Sequence, residues 1–75
     1  GYRGKITVKG LTENSQVRIT DLSGNLIISG SSLGGQFGWD GNNARGQRVS
    51  SGVYLVFAAD KQGEKGVVCK IVIIN

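Results

Sequence analysis

The feature that most limits the fold of this chain is the short period of its hydrophobic pattern. In Lys5-Ile6-Thr7-Val8-Lys9, and again from Gln16 to Thr20, apolar and polar residues alternate one by one. This alternation is typical of a β-strand with one buried face. Nowhere do apolar residues recur for long at the three- and four-residue spacing of an amphipathic helix. The sequence therefore predicts an all-β chain.

Polar segments containing glycine separate the apolar blocks and predict where the strands turn. Residues 21–25, Asp-Leu-Ser-Gly-Asn, join an Asx-type turn starter to a glycine that can adopt positive φ. Because the apolar residues 26–28 follow directly, we predict a hairpin here. We expect residues 29–35 to be loop or edge, residues 37–39 to be a short strand and residues 41–46 to be a polar turn.

The last third of the chain carries the strongest hydrophobic signal. Residues 53–58 and 67–74 are almost entirely apolar, and the polar segment 60–65 joins them. They predict a long antiparallel hairpin. Before it, Val49 is expected to open the return after the 41–46 turn. Both faces of this hairpin are apolar, whereas a strand covering one core alternates with polar residues. A register shift of one residue would exchange the faces, so the free face is not determined by the pattern.

These blocks predict one domain over residues 1–75. About six or seven short strands with regular turns are typical of a sandwich or small barrel. The predicted fold is a small immunoglobulin-like antiparallel β-sandwich.

Composition argues against several classes of function. Without histidine, the chain lacks the usual general base near neutral pH and the commonest metal ligand. Its single cysteine, Cys69, cannot form an internal disulfide and is expected to be a buried, inert thiol. The net charge of +4 comes from cations that form no run, which favours solubility over nucleic-acid binding. No segment approaches the ~20 apolar residues of a membrane span.

Two loops share some features with known ligand-binding loops. Residues 40–46 offer closely spaced oxygen ligands, as calcium loops do. However, Ala44 stands at the third ligand position and Ser51 stands where a bidentate glutamate should close the site, so an Asx-stabilised turn is preferred. Gly34-Gly35 lacks the lysine and the helix of a phosphate loop. We predict no catalytic, cofactor-binding or metal-binding residue, and no enzyme activity.

The aromatic residues of the middle and last thirds are interpreted as core residues, because so small a domain needs large apolar side chains inside. They are Phe37, Trp39, Tyr54 and Phe57. An exposed Trp39 in a groove would instead favour carbohydrate binding.

A longer pattern runs through Phe37-Gly38-Trp39-Asp40-Gly41 and Ser51-Gly52-Val53-Tyr54-Leu55-Val56, and closes with Lys70-Ile71-Val72-Ile73-Ile74. It resembles the immunoglobulin-like domain of flagellar hook-capping proteins, and it is equally similar to the C-terminal sorting domains of the type IX (Por) secretion system. The likeness is closest to the terminal domain of PorZ-like outer-membrane proteins, in which a similar module follows β-propellers. It extends over nearly the whole chain.

The resemblance implies a non-catalytic C-terminal module for type IX secretion, sorting or surface anchoring of a larger outer-membrane or secreted protein. The alternative is a structural module that packs against an upstream β-propeller or a partner subunit. The implied partners are proteins: a secretion translocon or the parent propeller. The residues expected to define the motif and fold are Trp39, Asp40, Gly41, Gly46, Gly52 and Tyr54. The expected interaction surface on the last hairpin comprises Gly52, Tyr54, Lys70, Val72 and Ile74.

Overall fold

The computed structural model describes residues 6–11, 14–59 and 65–74, except for the side chains of three residues in the last strand. Within these ranges the chain forms strands and turns and contains no helix. The six strands are β1 Ile6–Val8, β2 Gln16–Asp21, β3 Leu26–Ser31, β4 Phe37–Trp39, β5 Gly52–Ala59 and β6 Lys65–Ile73. The all-β prediction is confirmed. The described residues therefore include no helix that could cross a membrane.

The strands form two antiparallel sheets. One contains β1 and β4, and the other has the strand order β3-β2-β5-β6. Alternate residues of each sheet point towards the other sheet, as the period-two pattern requires. The buried apolar residues form one cluster between the sheets: Val8, Val17, Ile19, Trp39, Val49, Tyr54, Val56, Ile71 and Ile73. This arrangement is the predicted antiparallel sandwich.

The two predicted hairpins are present, and their register is now fixed. The β2–β3 hairpin pairs Ile19 with Ile28, and the β5–β6 hairpin pairs Tyr54 with Ile71. A β-bulge interrupts the second hairpin between Val56 and Phe57. Because directly opposed residues share a face, these pairs identify which side of the large sheet meets the core.

Of the segment 29–35, expected to be loop or edge, residues 29–31 complete β3, which lies at one edge of the large sheet. They are not apolar and stay in the sheet by pairing with β2. Val49 does not open a strand, because its amide donates to the Gly41 carbonyl oxygen at 3.0 Å and β5 begins at Gly52. Val49 is nevertheless buried, so its apolar side chain still contributes to the core.

A buried polar contact closes the open end of the β2–β3 hairpin, and sequence reasoning did not identify it. The Ser15 amide donates to Ser32 Oγ at 2.8 Å, and the Ser32 amide donates to the Ser15 carbonyl at 2.9 Å. Both residues are buried. Since an unpaired buried polar group would destabilise the fold, these reciprocal bonds allow two serines to sit at the edge of the core.

The Asp21 turn between β2 and β3 is held by its carboxylate. Oδ1 accepts hydrogen bonds from the Ser23 and Asn25 amides, each at 2.9 Å, and Oδ2 accepts one from Asn25 Nδ2 at 3.0 Å. Gly24 has a φ of 89°, which an L-residue rarely adopts. These hydrogen bonds hold the pKa of Asp21 below its ordinary value. The bond from the Asn25 side chain has the largest effect, and the turn amides add to it.

Candidate functional site

Trp39 is the central residue of the motif, and it lies in the core. Its side chain is 1% exposed, and its ring packs edge-on against Tyr54 with centroids 5.7 Å apart. The indole N–H donates to the Asn42 carbonyl oxygen at 2.8 Å. Trp39 therefore ties the 40–46 turn to the sandwich and offers no exposed surface to a carbohydrate.

Asp40 and Gly41 form the first part of this turn. Asp40 Oδ1 accepts a hydrogen bond from the Asn42 amide at 3.0 Å, which is an Asx turn. The Arg48 guanidinium donates to the Asp40 carbonyl oxygen at 3.0 Å and lies directly against Gly41. Gly41 has a φ of 82°, and a Cβ at this position would overlap Arg48. The positive φ thus favours glycine here, and a Cβ would also displace the flexible Arg48 side chain from its place.

Gly46 belongs to a second turn that repeats the geometry of the Asp21 turn. Asn43 Oδ1 accepts from the Arg45 and Gln47 amides at 2.9 and 3.0 Å, and Gly46 has a φ of 79°. Asp40, which would be the first ligand of a calcium loop, likewise has Oδ1 bonded within the turn. In the part of the chain that the structure describes, no three His, Cys, Asp or Glu side chains come together as metal ligands.

Gly52 and Tyr54 lie on the inner side of β5. Gly52 pairs with Ile73, and Tyr54 is 6% exposed. The Tyr54 hydroxyl donates to the Ser50 carbonyl oxygen at 2.7 Å, which fixes the chain as it enters β5. This bond resembles the tyrosine corner of immunoglobulin-like sandwiches. The hydrogen bonds described for the motif residues therefore stay within the fold, and none of them leads outwards to a binding surface.

The expected interaction residues divide between the two faces of the large sheet. Lys70 pairs with Leu55 and Val72 pairs with Val53, on the side opposite Tyr54. Ile74 follows Val72 by two positions, and the two side chains are 72% and 63% exposed. The structure thus places Lys70 and Val72 on one face, with Ile74 exposed just after the strand, and it separates them from Gly52 and Tyr54, which face the core.

We call the solvent side of the large sheet the outer face. The described residues that the register places on it are Gln16, Arg18, Thr20, Leu26, Ser29, Ser31, Val53, Leu55, Phe57, Ala59, Lys70 and Val72. Val53, Leu55 and Phe57 form its half-buried apolar centre. The surplus apolar surface predicted for the last hairpin lies here.

Two predictions for core residues are corrected by this register, one for an aromatic side chain and one for the thiol. Phe57, expected in the core, lies on the outer face because it pairs with Arg18 across β2. Cys69, expected to be buried, is half-buried and packs against the core. Phe37 is also half-buried, but it does pack against the core cluster.

The outer face is positively charged. Arg18 and Lys70 are its exposed charged side chains, and none of its described residues is acidic. The two described carboxylates, Asp21 and Asp40, are in turns and accept hydrogen bonds there. An apolar centre flanked by cations suits a protein surface that carries both apolar groups and carboxylates.

An open groove of about 400 Å³ lies between β3 and β4. It is lined by Thr7, Ser31, Leu33, Gln36, Phe37 and Gly38, none of which is titratable in the physiological range. The groove offers hydroxyl and amide groups beside one aromatic ring, and no acidic or basic side chain lines it.

Comparisons with known proteins agree with this geometry. No protein-family model matches the chain, and no curated protein matches it. Among solved structures, the chain is similar to part of PorZ, an essential bacterial surface component of the type IX secretion system of Porphyromonas gingivalis. The TM-score is 0.78 and the identity 31%, over 92% of this chain and 9% of PorZ. The chain thus corresponds to a domain-sized segment of PorZ, and the expected resemblance is confirmed.

A second solved structure, FlgD from Xanthomonas campestris, described for its part in hook capping and flagellar assembly, also matches. Its TM-score is 0.45 and its identity 21%, over 91% of this chain and 62% of FlgD.

Proposed function

We propose that this chain is a non-catalytic module that sorts or anchors a larger protein through the type IX secretion system, and that its outer face is the surface recognised. The observation that carries the proposal is the likeness to PorZ, at 31% identity over 92% of the chain. PorZ is itself a surface component of that system. In this proposal the module is the C-terminal part of its parent, which resides at the cell surface or outer membrane or is secreted.

The geometry supports the outer face as the recognition surface. The motif residues Trp39 and Tyr54 are committed to the core and to hydrogen bonds within the fold. Recognition by a translocon therefore falls to exposed groups. Lys70, Val72 and Ile74 are exposed together, and an apolar patch beside cations is typical of protein-binding surfaces.

Export of a reporter tests the sorting function. Residues 1–75 are fused to the C-terminus of a reporter carrying its own signal for the periplasm, in a bacterium with a type IX system. We expect the reporter to reach the cell surface, measured by protease accessibility on intact cells. A wild-type fusion that is stable but remains in the periplasm contradicts the proposal.

A matched pair of variants tests the outer face. Val72→Gln changes an exposed apolar residue on the outer face, whereas Leu33→Gln changes one that is 71% exposed in the turn between β3 and β4. Val72→Gln should reduce surface delivery while Leu33→Gln leaves it unchanged. Equal delivery by both variants, with both chains folded, would show that recognition lies elsewhere.

The half-buried apolar centre of the outer face also favours a second candidate, a structural module that packs against a neighbouring domain of its parent. Burying Val53, Leu55 and Phe57 against that domain would be favourable at about 25 cal/mol per Å² of apolar surface. A packing module should bind the rest of its parent in trans and should not move a foreign reporter. The same fusions, assayed beside copurification with the parent, distinguish the two.

A further inference from the structure

Among the residues that the structure describes, strand β6 forms an unpaired edge of the large sheet. It is nine residues long and pairs with β5 on one side. From Cys69 to Ile73 the pairing with β5 is continuous, because the bulge lies beyond this segment. No strand within residues 6–11, 14–59 and 65–74 pairs with the other side of β6. Edge strands of this kind expose a row of backbone N–H and C=O groups.

The opposite edge of the same sheet is covered. The Ala44 amide donates to the Ile27 carbonyl oxygen of β3 at 3.1 Å, so the 43–47 turn lies against that edge. β3 also ends in the polar segment 29–31, Ser-Gly-Ser. No such contact from a loop is found for Cys69–Ile73 in the described chain. Within the described residues, the β3 edge thus accepts a backbone hydrogen bond from a loop, whereas the Cys69–Ile73 part of the β6 edge has none.

The side chains of β6 define what could pair with it. Lys70 and Val72 are exposed on the outer face, and Ile74, the residue after the end of the strand, is exposed as well. A residue added directly opposite Lys70 would have its Cβ about 4.5–5.5 Å away, where opposite charges attract and like charges repel. The complement is an extended segment with a carboxylate beside Lys70 and apolar side chains beside Val72 and Ile74.

A second copy of this chain does not provide that complement. The segment Cys69–Ile74, which would meet its own copy, contains Lys70 and no carboxylate. Two such edges brought together would therefore leave Lys70 without an anionic neighbour.

We propose that β6 receives an extended, carboxylate-bearing segment of a partner protein by strand addition. Backbone hydrogen bonds along Cys69–Ile73 supply the pairing, and Lys70 selects the register. This deepens the proposed function and rests on it for the partner, which is a protein of the secretion apparatus.

The probe is the peptide acetyl-Val-Thr-Val-Thr-Glu-Thr-amide, which places valines and the glutamate on one face of an antiparallel strand. Binding to the isotope-labelled chain is followed by NMR chemical shifts and by amide hydrogen exchange. We expect shifts and slowed exchange to be confined to β6, centred on Cys69–Ile73. A peptide N-methylated at alternate residues keeps its side chains but cannot pair along its backbone, so it should not bind.

Charge reversal tests the role of Lys70. Lys70→Glu should weaken binding of the glutamate peptide by roughly three- to fivefold, and a lysine version of the peptide should regain the loss. Arg45→Glu makes the same change of charge in the 43–47 turn and should leave binding unaltered. Circular dichroism confirms that both variants are folded.

Three results would overturn the proposal: no binding up to about 1 mM peptide, equal binding of the N-methylated peptide, or shifts that map away from β6. Self-association of the chain through β6, competed by the peptide, would also overturn it by making a second copy the occupant. The reporter assay is read separately. Peptide binding without reporter export rejects the proposed function alone, and export without peptide binding rejects strand addition alone.

Discussion

Replacing Trp39 by alanine is expected to remove a large share of the stability of this chain, and to unfold it if the wild-type stability lies near the lower end of the range expected for its length. The indole is 1% exposed, packs on Tyr54 and donates to the Asn42 carbonyl oxygen at 2.8 Å. Truncating a buried tryptophan to alanine typically costs ~3–5 kcal/mol, a figure that already includes much of the lost ring contact. At roughly 0.05–0.15 kcal/mol per residue, a chain of 75 residues has a total stability of roughly 4–11 kcal/mol.

The loss is measured by urea unfolding followed by far-ultraviolet circular dichroism, because Trp39 is the single tryptophan and its fluorescence disappears with it. Trp39→Phe should be milder, since it keeps an aromatic ring and loses the indole hydrogen bond, worth ~0.5–1.5 kcal/mol, together with some packing. Leu22→Ala, at a side chain 67% exposed in a turn, is the control and should change stability by less than ~0.5 kcal/mol. A Trp39→Ala chain that unfolds within ~1 kcal/mol of wild type would refute the core assignment.

Further changes test other parts of the fold by the same unfolding assay. Gly30→Ala would place a Cβ 2.6 Å from Phe37 Cε1 and should cost ~1–3 kcal/mol, whereas Gly66→Ala, with nothing within 4 Å, should be neutral or stabilising; equal effects would contradict the packing. Tyr54→Phe should cost ~0.5–1.5 kcal/mol by removing the hydroxyl bond to the backbone, and an unchanged stability would argue against that bond. Because folding lowers the pKa of Asp21, its contribution to stability is complete above pH 3.8 and is lost as the pH falls through the lowered pKa. Asp21→Asn should flatten this acid-side loss, and an identical pH profile would show that the turn carboxylate does not contribute.

Much of the fold follows from local patterns, as β2 and the Asp21 turn illustrate. The alternation from Gln16 to Thr20 predicts a half-buried strand, and the Asx residue with Gly24 predicts the hairpin that follows. β3 was harder to predict, because its second half is Ser-Gly-Ser and is held in the sheet by pairing with β2. Non-local pairing overrides weak local preference at such positions.

The candidate site was only partly predictable. Alternation alone predicts Lys70, Val72 and Ile74 on one side of their strand, and the structure places Lys70 and Val72 so, with Ile74 just beyond the strand. Alternation also places Gly52 and Tyr54 together, but it does not relate one strand to the other. The sequence therefore predicted all five on one surface, whereas the pairing of Tyr54 with Ile71 places Tyr54 in the core.

The sequence by itself determined that this chain is made of short strands, where most of them lie and which glycine turns connect them, because strand period and turn chemistry act over a few residues. Only the tertiary structure decided that β1 pairs with β4 and β2 with β5, where the bulge in the last hairpin falls, and which of its two apolar faces meets the core. The strand pairings, the bulge and the choice of face depend on contacts between residues far apart in the chain, and no local pattern specifies the energies of those contacts. The outer face and the open edge of β6 are consequences of that packing.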